Sequence, residues 1–514
     1  MIAEFVRSTV ASTRGSIKCM LFSSHAFGWL LFSLTVAFAD AGALCAPSVH
    51  LRPVSTMPWT WKVFRRAEAK DSPRANMHVA VVGAGVAGLA CARALRRSAR
   101  VEVFEAAEAV GGRVKTDRVP LPGRLSGGAS EGSFLLDHGF QILIEAYPEV
   151  KRLDLKKRLK LRGFAPGAYL AFGGGELRIV ADPSRSPRYL WRTVASGIAS
   201  FWDILALGML RLRQVFLEGP YAALEREGKA SSGQSTEAFL RSLGLSRSLV
   251  DRFLRPFFEA IYVTPLKAQS AACFQFVLRM LAEGNSSLPE GGMQALPEHL
   301  AEGLELHLGA PVEQLHAGGD SDLERPALRL RGEGGVRGFD AVVLATDGPA
   351  ARRLLPELPE LPKTASCTWY FAVPGASMPV TEPLIVLNST DQVEEDGLRL
   401  VNVGFPSLVQ RSYAPVGWHL AAVTLRNGQG EEGWVRRQLA DLFGRDVGDW
   451  QLLKVYRIPF HQPGQFPSQL WPPRDPRPSL KGIYLCGDFL AEPTLDSALR
   501  SGRRAAEAVL SDAK

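Results

Sequence analysis

HVAVVGAGVAGLACARALRRSARVEVFEAAEAVGGR, residues 78–113, decides how this chain folds. His78 to Val82 is an apolar run of strand length. Gly83, Gly85 and Gly88 follow as G-x-G-x-x-G, and Val86 to Arg97 reads as a helix rich in Ala and Leu. Val101 to Glu105 reads as a second strand, ending in an acid twenty residues after Gly85. Each position has a task in a dinucleotide-binding strand–helix–strand unit. Gly83 permits the tight turn, Gly85 lets a pyrophosphate approach the backbone, and Gly88 lets the helix pack close on the sheet. Val86 and Ala87 open the helix, whose unpaired N–H groups and partial positive charge suit phosphate. Glu105 is placed to accept hydrogen bonds from a ribose. A glycine-rich turn alone would not bring strand, helix and acid into this order.

The residues beyond Glu105 choose between nicotinamide and flavin. The chain continues to Gly111-Gly112-Arg113 and later to Leu136-Asp137-His138-Gly139-Phe140-Gln141. In these motifs it resembles the FAD-dependent amine oxidase and phytoene (carotenoid) desaturase superfamily. The resemblance implies that Gly112 and Arg113 lie against the FAD pyrophosphate and that the D-x-G turn passes under the isoalloxazine. A second motif lies near the C-terminus: the short strand GIYLC (482–486), then Gly487-Asp488, then TLDSALRSGRRAA (494–506). It resembles the superfamily's G-D … A-L-x-S-G-x-x-A-A signature. By that likeness Asp488 hydrogen-bonds the ribityl or pyrophosphate region, and the helix beginning near Leu495 offers its N–H groups to the flavin's pyrimidine edge. Ser497 stands where relatives usually carry glycine. Leu288-Pro289-Glu290-Gly291-Gly292-Met293 resembles a further family turn, and Val312 takes the place of a valine that lends its backbone to the adenine.

The implied fold is α/β: a Rossmann-like FAD-binding domain of the GR2-type flavoproteins, with an inserted α+β substrate domain. The FAD domain is discontinuous, comprising residues 77–150, 285–350 and 476–514, and the substrate domain takes residues 151–284 and 351–475. The cofactor is non-covalent FAD, since no flavin-linking residue is evident; Cys486 reads as a strand-end core thiol. The implied reaction moves a hydride from a substrate C–H bond to the flavin and leaves a double bond, with reoxidation by oxygen, a quinone or another acceptor. No catalytic base is isolated. Gln141 and His461 are candidates, the latter in Tyr456–Pro463, where relatives carry an A-x-P segment. An apolar substrate such as a carotenoid is the first expectation. A flavin amine oxidase or a protoporphyrinogen-oxidase-like enzyme is the alternative, and a flavin-binding protein without turnover is the rival of another class.

Charge and composition exclude other classes. The net charge is +8, but residues 1–76 carry nine Lys/Arg and four Asp/Glu, so the rest of the chain is only mildly basic. Nucleic-acid binding, which needs a basic face on the folded part, gains nothing from this. Six cysteines form no C-x-x-C and no Cys/His cluster, so no metal site is expected. The four beyond the N-terminal region sit in apolar contexts and read as buried thiols.

Residues 1–76 read as a targeting presequence outside the folded enzyme. Arg7, Arg14 and Lys18 precede an apolar run from Ala26 to Ala39, and a basic stretch, LRPVSTMPWTWKVFRR (51–66), follows. This pattern resembles the two-part plastid presequences of algae with complex plastids; a secretory signal or a membrane anchor with a linker are the alternatives. In the middle of the chain, Tyr189 to Phe216 and Thr236 to Phe258 carry long helical patterns. The first is strongly apolar with Arg at both ends. A buried helix of a substrate-binding cap is the plain expectation for it, and a peripheral membrane contact is the other. Phe253 to Ser270 with Phe274, Phe276 and Leu278 resembles a helix–loop–helix that lines the family's substrate cavity. Between 351 and 475, strands at Thr368–Val373, Leu384–Leu387, Leu398–Val403 and Trp418–Leu425 predict a largely antiparallel sheet.

Overall fold

Along the first strand, His78–Val82, side chains alternate between two buried faces, as a central parallel strand requires. Val79 and Val81 pack with the helix Val86–Leu95 and the C-terminal helix Leu495–Asp512. Ala80 and Val82 pack instead with Leu328, Leu330 and Phe339. These features come from a computed structural model that describes residues 77–121, 132–229, 233–319, 323–360, 362–390, 398–426, 430–465 and 473–513. All belong to one compact unit, Asp71–Lys514. The targeting expectations for residues 1–76 lie outside the described residues.

The sheet around that strand has five members in the order Glu305–His307, Arg100–Phe104, His78–Val82, Ala341–Leu344, Ile483–Leu485. Every pairing is parallel, with Val79 opposite Val101 on one side and Ala341 on the other. Three distant stretches of sequence therefore build one nucleotide-binding sheet. A small antiparallel sheet, Val312–His316, Ala327–Leu330 and Arg337–Gly338, covers its second face.

The second sheet has seven strands: Gln451–Pro463, Lys363–Pro374, Trp418–Arg426, Arg399–Gly404, Ile385–Asn388, Gly167–Ala171 and Leu177–Ala181. All pairs are antiparallel except Ile385–Asn388 with Gly167–Ala171. Gly167–Ala171 and Leu177–Ala181 are strands that the sequence pattern did not predict. Both faces of Lys363–Pro374 are buried. Trp369 and Phe371 point toward Trp450 and the helix Glu432–Phe443, while Tyr370 and Ala372 pack with Leu135 and Tyr413.

The long helical patterns are broken. Tyr189 to Phe216 divides into Leu190–Ala195 and Phe201–Leu212, separated at Gly197, whose φ of 66° ends the first helix. Ser200 restarts the chain with a capping box to Asp203. Thr236 to Phe258 breaks into Thr236–Ser242, Arg247–Leu249, a π-helical turn Val250–Leu254 and Arg255–Tyr262. The expectation of a buried cap helix also fails for Phe201–Leu212, where only Asp203 and Leu210 are buried. The stretch is as apolar as expected, but most of its large apolar side chains face outward, and a polar residue, Asp203, shares the inward face with Leu210.

Candidate functional site: the dinucleotide cleft

The three glycines of the first turn are needed for three different reasons. Gly83 has φ +108°, and an added Cβ would meet the Ala345 carbonyl oxygen at 2.9 Å. A Cβ on Gly88 would lie 2.0 Å from the Gly83 carbonyl oxygen. Gly85 alone faces open space, with nothing within 4 Å of an added Cβ. That opening lies at the N-terminus of Val86–Leu95, where no side chain caps the helix and no acid occupies the first turn. The free N–H groups of such a pole are a ready anion site, so the cradle fits a pyrophosphate.

Gly111-Gly112-Arg113 is laid along this turn. Gly111 bridges Gly85 in parallel, and its N–H donates to the Ala84 carbonyl at 2.8 Å. Glu105 lies just past its strand; its carboxylate accepts from the N–H groups of Ala84 at 2.7 Å and Ala107 at 3.0 Å. The Ala310 N–H donates to the Glu105 carbonyl at 2.8 Å, which brings Val312, at the head of its strand, near the same end of the sheet. The acid is thus fixed beside the turn, and each oxygen keeps a lone pair for a ribose hydroxyl.

The C-terminal motif arrives at the same place. Arg113 donates from Nη2 to Asp488 Oδ1 at 2.7 Å and from Nη1 to the His461 carbonyl at 3.0 Å, while its guanidinium lies 5.0 Å from the Phe460 ring centroid. Burial works against the charge on Arg113, but Asp488 more than offsets it and holds the pKa above its ordinary value. Sequence reasoning assigned Asp488 directly to the ligand; in the structure its first partner is the arginine. Gly487, at φ +153°, donates its N–H to Ser501 Oγ at 2.9 Å. Leu495 opens the last helix, capped by Thr494, whose hydroxyl accepts from Ser497 N–H at 3.1 Å. Ser497 turns its own hydroxyl back onto the Glu492 and Thr494 carbonyls and is buried, so its side chain stays out of the cleft.

The sequence profile of the flavin-containing amine oxidoreductases matches residues 86–510, which begin at the helix just after the glycine turn and hold the rest of this cleft. The chain belongs to that family. It is an FAD-dependent oxidoreductase. The flavoenzyme is 28% identical over 316 residues to the phytoene dehydrogenase of Streptomyces griseus, covering 55% of this chain and 57% of that protein. The match therefore spans a little over half of that relative's length. Among solved structures it resembles a candidate protoporphyrinogen oxidase from an Exiguobacterium species, with a TM-score of 0.59, 18% identity and coverage of 85% and 99% of the two chains. Putrescine oxidase with putrescine bound superposes with a TM-score of 0.57, 18% identity and coverage of 85% and 99%. At such identities these two establish the shared fold.

Gln141 and His461, the two candidates for a catalytic base, take other parts in the flavoenzyme. The Gln141 amide donates to the carbonyls of Arg113 and His138, both at 2.9 Å, so it positions the Arg113 loop. His461 Nδ1 pairs with Ser366 Oγ at 3.0 Å. Burial, then the Arg113 charge, lower its pKa to about 4, leaving a neutral imidazole that is a weak base at pH 7. Two acids acquire their roles only in the structure. Asp137 accepts from Thr116 Oγ1 at 2.5 Å, Met293 N–H at 2.9 Å and Tyr413 OH at 2.9 Å, and burial pushes its carboxyl up to about 6. It pins the D-x-G turn to the Gly291-Gly292-Met293 turn. Glu227 accepts from Ser270 Oγ at 2.8 Å, and burial pushes it up to about 7.

The expected pH dependence follows from His461. Its folded pKa lies below the ordinary 6.5, so its contribution to stability is whole above pH 6.5 and is lost as pH falls through about 4. The full difference is on the order of 2–3 kcal/mol. Thermal midpoints of wild type and His461→Gln, measured from pH 7 to pH 4, are expected to converge or cross as the wild type loses this contribution. Parallel curves would show that His461 is not held neutral.

The described cysteines Cys91, Cys273, Cys367 and Cys486 are all free and buried. The fold brings Glu102, Glu305 and His307 within reach of one another, although no metal cluster was expected from sequence. In the structure Glu102 is already engaged by His78 at 2.7 Å, His307 at 2.9 Å and Arg100 at 3.1 Å.

Proposed function

We propose that this flavoenzyme takes a hydride from a C–H bond of an extended apolar substrate, a polyene such as a carotenoid, leaving a double bond. The observation that carries the reading is a buried aromatic cluster tied to the strand beside Arg113. Phe258 packs on Phe274 at 4.3 Å between centroids, and Phe253, Phe257, Phe239 and Phe276 extend the cluster. Gln462, next to His461, donates to the Tyr262 carbonyl at 2.6 Å, and Ser270 N–H donates to Gln465 Oε1 at 3.1 Å. The aromatic helices therefore abut the segment that holds Arg113. The likeness to phytoene dehydrogenase supports the same substrate class.

When bound, FAD supplies the two-electron acceptor for the hydride. The chain's own residues bind and orient. Gly85 and the Val86–Leu95 pole would hold the pyrophosphate, Glu105 the ribose, and Arg113 with Asp488 the junction between the two motifs. The N-terminus of Leu495–Asp512, capped by Thr494 and carrying Asp496 in its first turn, would face the flavin's pyrimidine edge. Buried aromatic side chains exclude water from the reacting carbon and leave its selection to shape.

Anaerobic photometry of the purified holoenzyme tests this. Polyenes are expected to bleach the flavin band, and amines to leave it unchanged. Bleaching by amines, or by tetrapyrroles alone, would move the enzyme to the oxidase branch. No bleaching by any of the three would favour a flavin-binding protein without turnover.

A further inference from the structure

The helix Phe201–Leu212 is turned inside out. Phe201, Ile204, Leu205 and Leu212 fall at i, i+3, i+4 and i+11, one face of an α-helix, and all are exposed. The opposite face buries Asp203, Leu210 and, one turn further, Gln214. Asp203 is bound by Ser200 and by Ser246, so the inward polar group is fully engaged. Trp191 is 79% exposed, Trp202 65% and Phe216 61%; Val194 and Leu217 join them. Nine of the twelve large exposed apolar side chains among the described residues thus fall within residues 191–217. Both helices of the patch are anchored to one strand end: Thr193 Oγ1 accepts from Ala181 N–H at 3.1 Å, and Arg211 pairs with Asp182 at 2.6 Å. Both helices are thus tied to one place, and a concentration of nine exposed apolar side chains there marks an interaction surface.

Its charge indicates what covers it. Of the arginines in residues 187–217, Arg188, Arg211 and Arg213 pair with Glu382, Asp182 and Glu218, and Arg192 stands exposed at the edge of the patch, while the one acid inside the stretch, Asp203, is buried. Tryptophan beside arginine on an apolar face is the composition of a helix lying at a lipid–water boundary, where the rings enter the acyl layer and the guanidinium groups meet phosphate. Among the described residues no helix is long and apolar enough to cross a membrane, so the contact is in-plane. We propose that the outward face of residues 191–217 seats in one leaflet of an anionic bilayer. The surface is independent of which C–H bond the enzyme oxidises.

The test is co-sedimentation of the full-chain holoenzyme with phosphatidylcholine vesicles, with and without phosphatidylglycerol. Wild type is expected to pellet with the anionic vesicles. The triple variant Trp191→Ser, Trp202→Ser, Phe216→Ser is expected to lose at least about tenfold in partitioning, and Arg192→Gln about fivefold on anionic vesicles only. Flavin absorbance and melting temperature should be unchanged in both variants, since all four side chains are exposed. Three results would overturn the proposal: wild type remaining in the supernatant, the triple variant pelleting as well as wild type, or the free enzyme being a dimer that the triple substitution dissociates.

Discussion

Gly502→Ala is expected to strip this enzyme of its FAD by way of a helix–helix contact. Gly502 lies on the C-terminal helix Leu495–Asp512, where it crosses Val86–Leu95. An added Cβ would lie 2.1 Å from the Ala87 carbonyl oxygen and 2.9 Å from the Cys91 amide nitrogen. Both are backbone atoms of a buried helix, so no side chain can swing aside. The helices must part by about 1 Å, and overpacking of this kind costs about 1–3 kcal/mol or more. The displaced helix is the one whose N-terminus forms the phosphate cradle, so the strain falls on cofactor binding. An FAD content at least about tenfold below wild type is expected after gel filtration. Gly433→Ala is the control. It is exposed on the helix Glu432–Phe443, its Cβ would meet nothing closer than Arg437 Nη1 at 3.6 Å, and it should gain up to about 1 kcal/mol from helix propensity. Full FAD occupancy in Gly502→Ala would show that the two helices can separate without disturbing the cleft.

That crossing marks the boundary of what the sequence could reveal. The glycine turn was legible because each constraint acts within a few residues: a positive φ at Gly83, a close approach at Gly88 and open space at Gly85. The Gly487-Asp488 motif was legible for the same reason, as a short strand followed by a capped helix. The partners of these motifs were not. Asp488 and Arg113 are separated by 375 positions, and Asp137 meets Tyr413 across 276, so no local pattern records either pair. Gln141 looked like chemistry because an amide beside a flavin motif invites that reading; its donors are spent on backbone carbonyls. The apolar run of 189–216 was visible as composition, but its orientation is set by Ser246, which captures Asp203 from another helix and turns the greasy face outward. Gly167–Ala171 pairs with the neighbouring Leu177–Ala181, but the strand that joins this hairpin to the sheet, Ile385–Asn388, lies more than two hundred residues away.

The Arg113–Asp488 pair should be the most sensitive point of the cleft. Asp488→Ala leaves a guanidinium whose only described acceptor is the His461 carbonyl, in a setting where burial already opposes its charge. Breaking a buried ion pair costs about 3–5 kcal/mol; with the Arg113 side chain one-third exposed, about 2–4 kcal/mol is the better expectation. That corresponds to a loss of about 30-fold or more in FAD affinity. Arg113→Ala should be comparably damaging, and the double variant little worse than either, because each single change already severs the link between the two motifs. Arg113→Lys should not rescue, since one ammonium cannot reproduce the planar fork that reaches the His461 carbonyl and Asp488 together. His461 gives a second readout that a merely unfolded cleft would not. Arg113 lowers its pKa and Asp488 raises it, so the two single variants should move the imidazole titration in opposite directions. Flavin content fixes the first expectation, and NMR titration of His461 in the retained holoenzyme fixes the second. Additive losses in the double variant, or imidazole shifts of the same sign, would mean that the two ends of the chain do not act as one clamp on the dinucleotide.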